Sequence, residues 1–180
     1  TDLIELVGYV ADKKKYHKRL NNNRNDEIGK LILGVNTMLN TIEKHESQLY
    51  NSSNYDDLTK LPNRHLLTER LSHGISTAER NRSELALLFL DLDRFKIIND
   101  SLGHYVGDQL LVQEATKLTK LLSQSDSVFR WGGDEFVVVL ENIQKIEDVE
   151  SFVRKIMNEL SNPIHLDNHL LHVSTSIGIT

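Results

Sequence analysis

The sequence predicts an α+β chain in two parts: a helical amino-terminal segment over residues 1–50, then a mixed helix-and-strand domain over 51–180. Three observations carry that expectation. Apolar residues between Ile28 and Leu49 recur at alternating steps of three and four, the spacing of a narrow helical seam. Residues 85–90, LALLFL, are apolar on both faces, as a strand in the middle of a sheet is. Beyond residue 56, segments with helical spacing alternate with strand-like ones in the order αβαββαβ, which implies helices packed on one sheet.

Leu3, Leu6 and Val10 give a short 3-4 pattern, and residues 12–26 (DKKKYHKRLNNNRND) form a polar, Asn-rich connector. The seam follows as Ile28, Leu31, Val35, Met38, Ile42 and Leu49, with His45 at the missing step. A stripe that narrow suits a partner helix better than a globular core. NSSNYD (51–56) breaks the pattern and reads as a joint. Leu67, Leu71, Ile75 and Ala78 then mark a helix, and the apolar strand 85–90 comes next. Leu111, Ala115, Leu118 and Leu122 line one face of a further helix. DSVFRW and EFVVVL flank Gly132 and Gly133 as a hairpin. Val149, Val153, Ile156 and Leu160 stripe another helix, and Leu171, Val173, Thr175, Ile177 and Ile179 alternate as a last strand.

Composition narrows the chemistry. With no Cys, disulfides, thiolate zinc sites and thiol nucleophiles are excluded. A net charge of -5 argues against nucleic acid as a partner, which calls for a broad basic face. No apolar run approaches the roughly 18 residues that span a bilayer, and no signal peptide is visible. The chain opens at Thr1 inside a helix-like pattern, so it is expected to be part of something longer.

Two acidic clusters sit at the strand ends of the second part. Asp91 and Asp93 close the apolar strand, and Asp134 and Glu135 follow the paired glycines. If the hairpin lies beside that strand, three or four carboxylates meet and repel unless a cation neutralises them. Oxygen donors without His or Cys nearby point to Mg²⁺ or Mn²⁺, and magnesium shares its shell with substrate phosphates. Gly132 and Gly133 would permit close backbone approach. The residues alone reach a metal-dependent nucleotide site and no further.

Sequence motifs extend this. GGDEF at 132–136, with DDLTKLPNR (56–64), LDLDRFKIINDSLGHYVGDQLL (90–111) and VSTSIGIT (173–180) in order, resembles the diguanylate cyclase (GGDEF) family. The resemblance implies a palm-like domain whose central antiparallel-rich sheet is flanked by helices. It also implies synthesis of cyclic di-GMP from two GTP, with release of two pyrophosphates. By that resemblance Asp91 and Asp134 bind metal, Mg²⁺ or Mn²⁺, with the Leu92 carbonyl as a further ligand. Asp134 is also the base toward the ribose 3′-hydroxyl, and Glu135 is a supporting carboxylate. Asn99 and Asp108 would bind guanine, His104 would contact substrate, and the turn at Arg94, Phe95 and Lys96 would offer amides to the phosphates. Alternatives stay open at several of these positions. Asn99 would also suit a turn cap, Asp108 a helix amino terminus, His104 a packed surface site, Arg94 and Lys96 solvated strand-end charges, and Trp131 plain packing.

DEIGKLILGVNTML (26–39) and VADKKKYHKRL (10–20) resemble a HAMP signalling domain. This implies a homodimer through a parallel helical bundle, with a transmembrane helix upstream and the domain on the cytoplasmic side of the inner membrane. Ser123 replaces the Arg of the family's Arg-x-x-Asp product site, so little product inhibition through Asp126 is expected. Lys60 takes the place of a usual Gly, from which a local change of turn is expected. The family pattern continues past Thr180 with a helix and strand bearing phosphate-binding Lys and Arg, so weak GTP affinity is expected of this stretch alone. The competing reading is a catalytically weak, GTP-binding regulatory domain of a larger signalling protein, of the kind that precedes a phosphodiesterase domain.

Overall fold

The computed structural model describes residues 16–180 of the chain. The Leu3, Leu6 and Val10 pattern and the first residues of the connector lie outside the described residues. The chain divides into two compact units, Thr1–Ser53 and Asn54–Thr180.

In the first unit, helix α1 (Glu27–Asn54) starts at Asp26, whose carboxylate accepts from the Gly29 amide at 3.0 Å. The connector packs back on this helix. Leu20 and Leu39 are buried against each other's neighbours Tyr16, Ile32 and Val35. The Asn36 carboxamide bonds both backbone groups of Leu20, at 3.1 and 2.9 Å. The seam expected from the sequence lies mostly outside that contact: Ile28, Leu31, Met38 and Leu49 are exposed, while Val35 and Ile42 are half-buried. The expected joint at 51–56 is in part helical, because α1 continues through Asn54.

The second unit is α+β. Helix α2 (Arg64–Asn81) is capped by Asn63, whose side chain accepts from His65 and Leu66 amides. Strand β1 (Glu84–Leu92) leads through a sharp turn into α3 (Phe95–Leu102) and then α4 (His104–Leu121). The β2 (Ser127–Gly132) and β3 (Glu135–Ile143) hairpin, α5 (Ile146–Leu160), the short β4 (Ile164–Leu166) and β5 (His169–Leu171) hairpin, and β6 (Thr175–Ile179) follow. The main sheet is antiparallel in the order β2-β3-β1-β6, so β1 is central, as its two apolar faces predict.

Both faces are covered. Leu88, Leu90, Phe136 and Val138 point toward Leu110, Leu111 and Leu118 of α4 and Ile156 and Leu160 of α5. Phe129, Val137 and Val139 face Leu67 of α2 on the other side. Two sequence expectations need correction. Ile75 is exposed rather than core-facing, and the buried neighbour is Gly74. The alternating run from Leu171 is not one strand: β5 pairs with β4 and β6 with β1, so the chain changes sheets across residues 172–174. Among the described residues no helix is long and apolar enough to cross a membrane.

Candidate active site

Register in the main sheet builds the site. Pairing of β1 with β3 sets Asp91 directly opposite Glu135 at the sheet's end, and the Leu92 amide approaches the Asp134 carbonyl at 3.4 Å. Two segments more than forty residues apart therefore bring their carboxylates to one edge. Burial, then Asp134, then Asp93 push the Asp91 carboxyl above the usual carboxylate range. That crowding of negative charge is what a divalent cation relieves.

The hairpin turn is held open by its neighbours. Gly133 stands at φ 55°, a left-handed conformation that suits glycine. Its carbonyl accepts from Arg130 Nη2 at 2.8 Å, while Arg130 Nη1 donates to Asp56 Oδ1 at 2.8 Å. Asp56 also accepts from the amide and hydroxyl of Thr59. Burial alone would raise the Asp56 carboxyl; the hydrogen bonds from Thr59 and Arg130 outweigh it and hold it low. Trp131 packs edge-to-face on Phe89, with ring centroids 5.9 Å apart.

Asp93 stands close enough to raise Asp91, as the crowd of carboxylates expected from the sequence implies, but its own oxygens are engaged by β6 and the residue before it. It lies in the turn just past the end of β1, and its oxygens accept from Ser174 Oγ at 2.5 Å and Ser176 Oγ at 2.7 Å. Its own amide donates to the Ser174 carbonyl at 2.9 Å. Those bonds hold its carboxyl below the usual range. Among the described residues, no three Asp, Glu, His or Cys side chains converge as a complete metal cage. Magnesium asks for less: one or two carboxylates, with substrate phosphates and water filling its octahedron. Asp91, Asp134 and a main-chain oxygen at Leu92 fit that donor set.

Beyond the carboxylates, Arg94 takes a left-handed φ of 62° and launches α3, whose first residues are Phe95, buried, and Lys96, exposed. The first amides of a helix have no intrahelical partner. The expected turn at these residues is thus the start of a helix. Asn99 lies one turn further along α3 and does not cap with its side chain. Its Oδ1 is buried without a hydrogen-bond partner and faces Gly107 of α4. His104 opens α4 and Asp108 follows Gly107, both exposed. A cleft of about 680 Å³ borders the site, lined by Asp91, Asp93, Arg94, Ile97, His172 and Ser174.

Arg130, Asp56, Ser174, Ser176 and Gly107 were not singled out by the sequence. All but Arg130 lie inside the quoted motifs, without a role having been assigned to them there.

An antiparallel sheet with paired carboxylates at its strand ends suits a metal-dependent nucleotide site, and comparison with known proteins makes the class specific. Residues 53–180 match the family described as diguanylate cyclase, GGDEF domain. The chain belongs to the GGDEF diguanylate cyclase family. It is 35% identical over 185 residues to diguanylate cyclase TpbB of Pseudomonas aeruginosa, covering 98% of this chain and 42% of TpbB. It is 36% identical over 145 residues to the bifunctional diguanylate cyclase/cyclic di-GMP phosphodiesterase MucR of the same species, covering 81% of this chain and 21% of MucR. The chain thus spans less than half the length of TpbB and about a fifth of that of MucR. The solved GGDEF domain of TpbB superposes with a TM-score of 0.68 at 42% identity, over 69% of this chain and 73% of that one.

Proposed function

We propose that the chain is the diguanylate cyclase portion of a larger signalling protein, joining two GTP into cyclic di-GMP with loss of two pyrophosphates. The observation that supports this reading is the pairing of β1 with β3, which brings Asp91 beside Asp134 and opposite Glu135 at one end of the sheet. The Asp91 and Asp134 carboxylates, with the Leu92 carbonyl, would hold Mg²⁺ or Mn²⁺. When bound, such an ion would acidify the ribose 3′-hydroxyl and offset charge on the leaving pyrophosphate.

The chain's own residues have separate tasks in this account. Asp134 accepts the proton of the 3′-hydroxyl of one GTP. The freed oxygen forms a bond to the α-phosphorus of the second GTP, and the bond from that phosphorus to the pyrophosphate breaks. Repetition in the opposite sense closes the ring. Glu135 supports Asp134 from the start of β3. The amides at Phe95 and Lys96 hold phosphate oxygens at the start of α3. Asn99 and Asp108 select guanine, since a base without its donors leaves their oxygens unpaired. His104, at the start of α4, contacts the bound nucleotide.

Each copy of the second unit holds one GTP, so two copies of the chain must face each other. The exposed stripe of Ile28, Leu31, Met38 and Leu49 supports a homodimer through α1 in a HAMP-like or coiled-coil arrangement. An upstream transmembrane helix would then set the membrane location of the parent protein, on the cytoplasmic side. The test is incubation of the full-length protein with GTP and Mg²⁺, followed by chromatography for cyclic di-GMP. Product from the wild type and none from Asp134→Asn supports the reading. Binding of GTP without any product favours the regulatory alternative, and no GTP-dependent thermal shift rejects both.

A further inference from the structure

We propose that Gly107 is a specificity-determining residue: the missing side chain at this point of α4 is the seat into which the Asn99 carboxamide turns, so Gly107 governs guanine selection through Asn99. This rests on the reading of the site as a guanine nucleotide site and deepens it.

Gly107 is buried in the second turn of a regular helix, where glycine is disfavoured against alanine by about 1 kcal/mol. Its backbone needs no left-handed conformation, so the reason for glycine is space. A Cβ built there would lie 1.9 Å from Asn99 Oδ1, 3.0 Å from Asn99 Cγ and 3.2 Å from the Phe95 ring. The closest atom is thus the end of a flexible side chain. A methyl at 107 would be accommodated by rotating Asn99 and would leave the fold intact.

That rotation matters because of what Asn99 Oδ1 lacks. It is buried and accepts no hydrogen bond. A buried acceptor left empty is unfavourable, and a donor brought by a ligand satisfies it. Guanine carries such donors on N1 and its 2-amino group; adenine has neither, and hypoxanthine lacks the amino group. Gly107 adjoins Asp108, the second residue assigned to the base, so the seat and the carboxylate belong to one turn of α4. Phe95, which also borders Gly107, links the seat to the first residue of α3.

The test is calorimetric titration of the chain with non-hydrolysable analogues of GTP, ITP and ATP in Mg²⁺, for wild type, Gly107→Ala, Asn99→Ala and the double variant, with thermal melts of each. Expected for Gly107→Ala is a loss of GTP affinity of about tenfold or more. ATP affinity should stay within about twofold and the melting temperature should be unchanged or higher. Asn99→Ala should show the same loss, and the double variant no further loss. Wild-type selectivity in Gly107→Ala, equal losses for all three nucleotides, or additive losses would overturn the inference. So would equally lowered melting of Gly107→Ala and the double variant, since the methyl then meets backbone rather than Asn99. A wild type that binds GTP no better than ATP would instead refute the guanine reading itself.

Discussion

Replacing Glu114 by Gln should remove a pH dependence of stability that the structure builds into α4. Glu114 has no exposed surface; its Oε1 lies 3.3 Å from Lys117 Nζ and its Oε2 has no partner. Lys117 also donates to the Asn162 carbonyl at 3.0 Å, so its ammonium is shared. Burial pushes the Glu114 carboxyl up from 4.5 to about 7; Lys117 opposes the rise and Glu159 adds to it. The folded value lies above the unfolded one. The stabilising contribution is therefore complete below about pH 4.5 and is lost as pH climbs to about 7, because the folded state binds the extra proton in that window. At about 1.4 kcal/mol per pH unit, that gap corresponds to about 3 kcal/mol. Urea unfolding of wild type and Glu114→Gln at several values between about pH 4.5 and pH 8 reads it out, since other titrating groups cancel in the difference. The variant should gain on the wild type by about 3 kcal/mol across the range. A difference that stays constant with pH, at unchanged m-value, would refute the reasoning.

Replacing both Ser174 and Ser176 by Ala removes the hydroxyls that hold Asp93, and with them the tether between the turn after Leu92 and β6. Initial rates of cyclic di-GMP synthesis should fall about tenfold while the thermal midpoint moves by only a few degrees. Lys60 stands at φ 60°, so the departure from glycine is carried as backbone strain. Lys60→Gly should raise stability by about 0.5–1 kcal/mol in urea melts, and an unchanged or lower midpoint would count against it. Asp126 is occupied locally: its carboxylate accepts from the Ser123 amide and hydroxyl at 3.2 and 2.6 Å and from the Glu141 amide at 3.3 Å. Titration with cyclic di-GMP should show no tight site that Asp126→Ala abolishes.

Periodicity made the helices and the central strand legible, because burial on one stripe or on two faces writes itself into residue spacing. α4 and α5 follow their apolar stripes closely, and LALLFL marks β1 as central through pairing on both edges. The β4–β5 hairpin was hidden: its strands are three residues each, too short to show an alternation distinct from the run that becomes β6. At the site, motif order brought out Asp91, Asp134 and Asn99. The split role of the Asp91 and Asp93 pair was not legible, because it depends on where β6 sets two serine hydroxyls. Gly107 is visible as a glycine within a helical run, but its role was not, since that role is the distance to an atom on another helix. Arg130 reads as an ordinary strand residue until its contacts with Asp56 and Gly133 are seen.

The most direct measurement is electron paramagnetic resonance titration of Mn²⁺ into the chain with a non-hydrolysable GTP analogue, for wild type, Asp91→Asn and Asp134→Asn. A tight nucleotide-dependent Mn²⁺ site is expected in the wild type, and either substitution should weaken it by about an order of magnitude or more. Retention of that site at full affinity in one of the two variants would contradict the shared-ion arrangement.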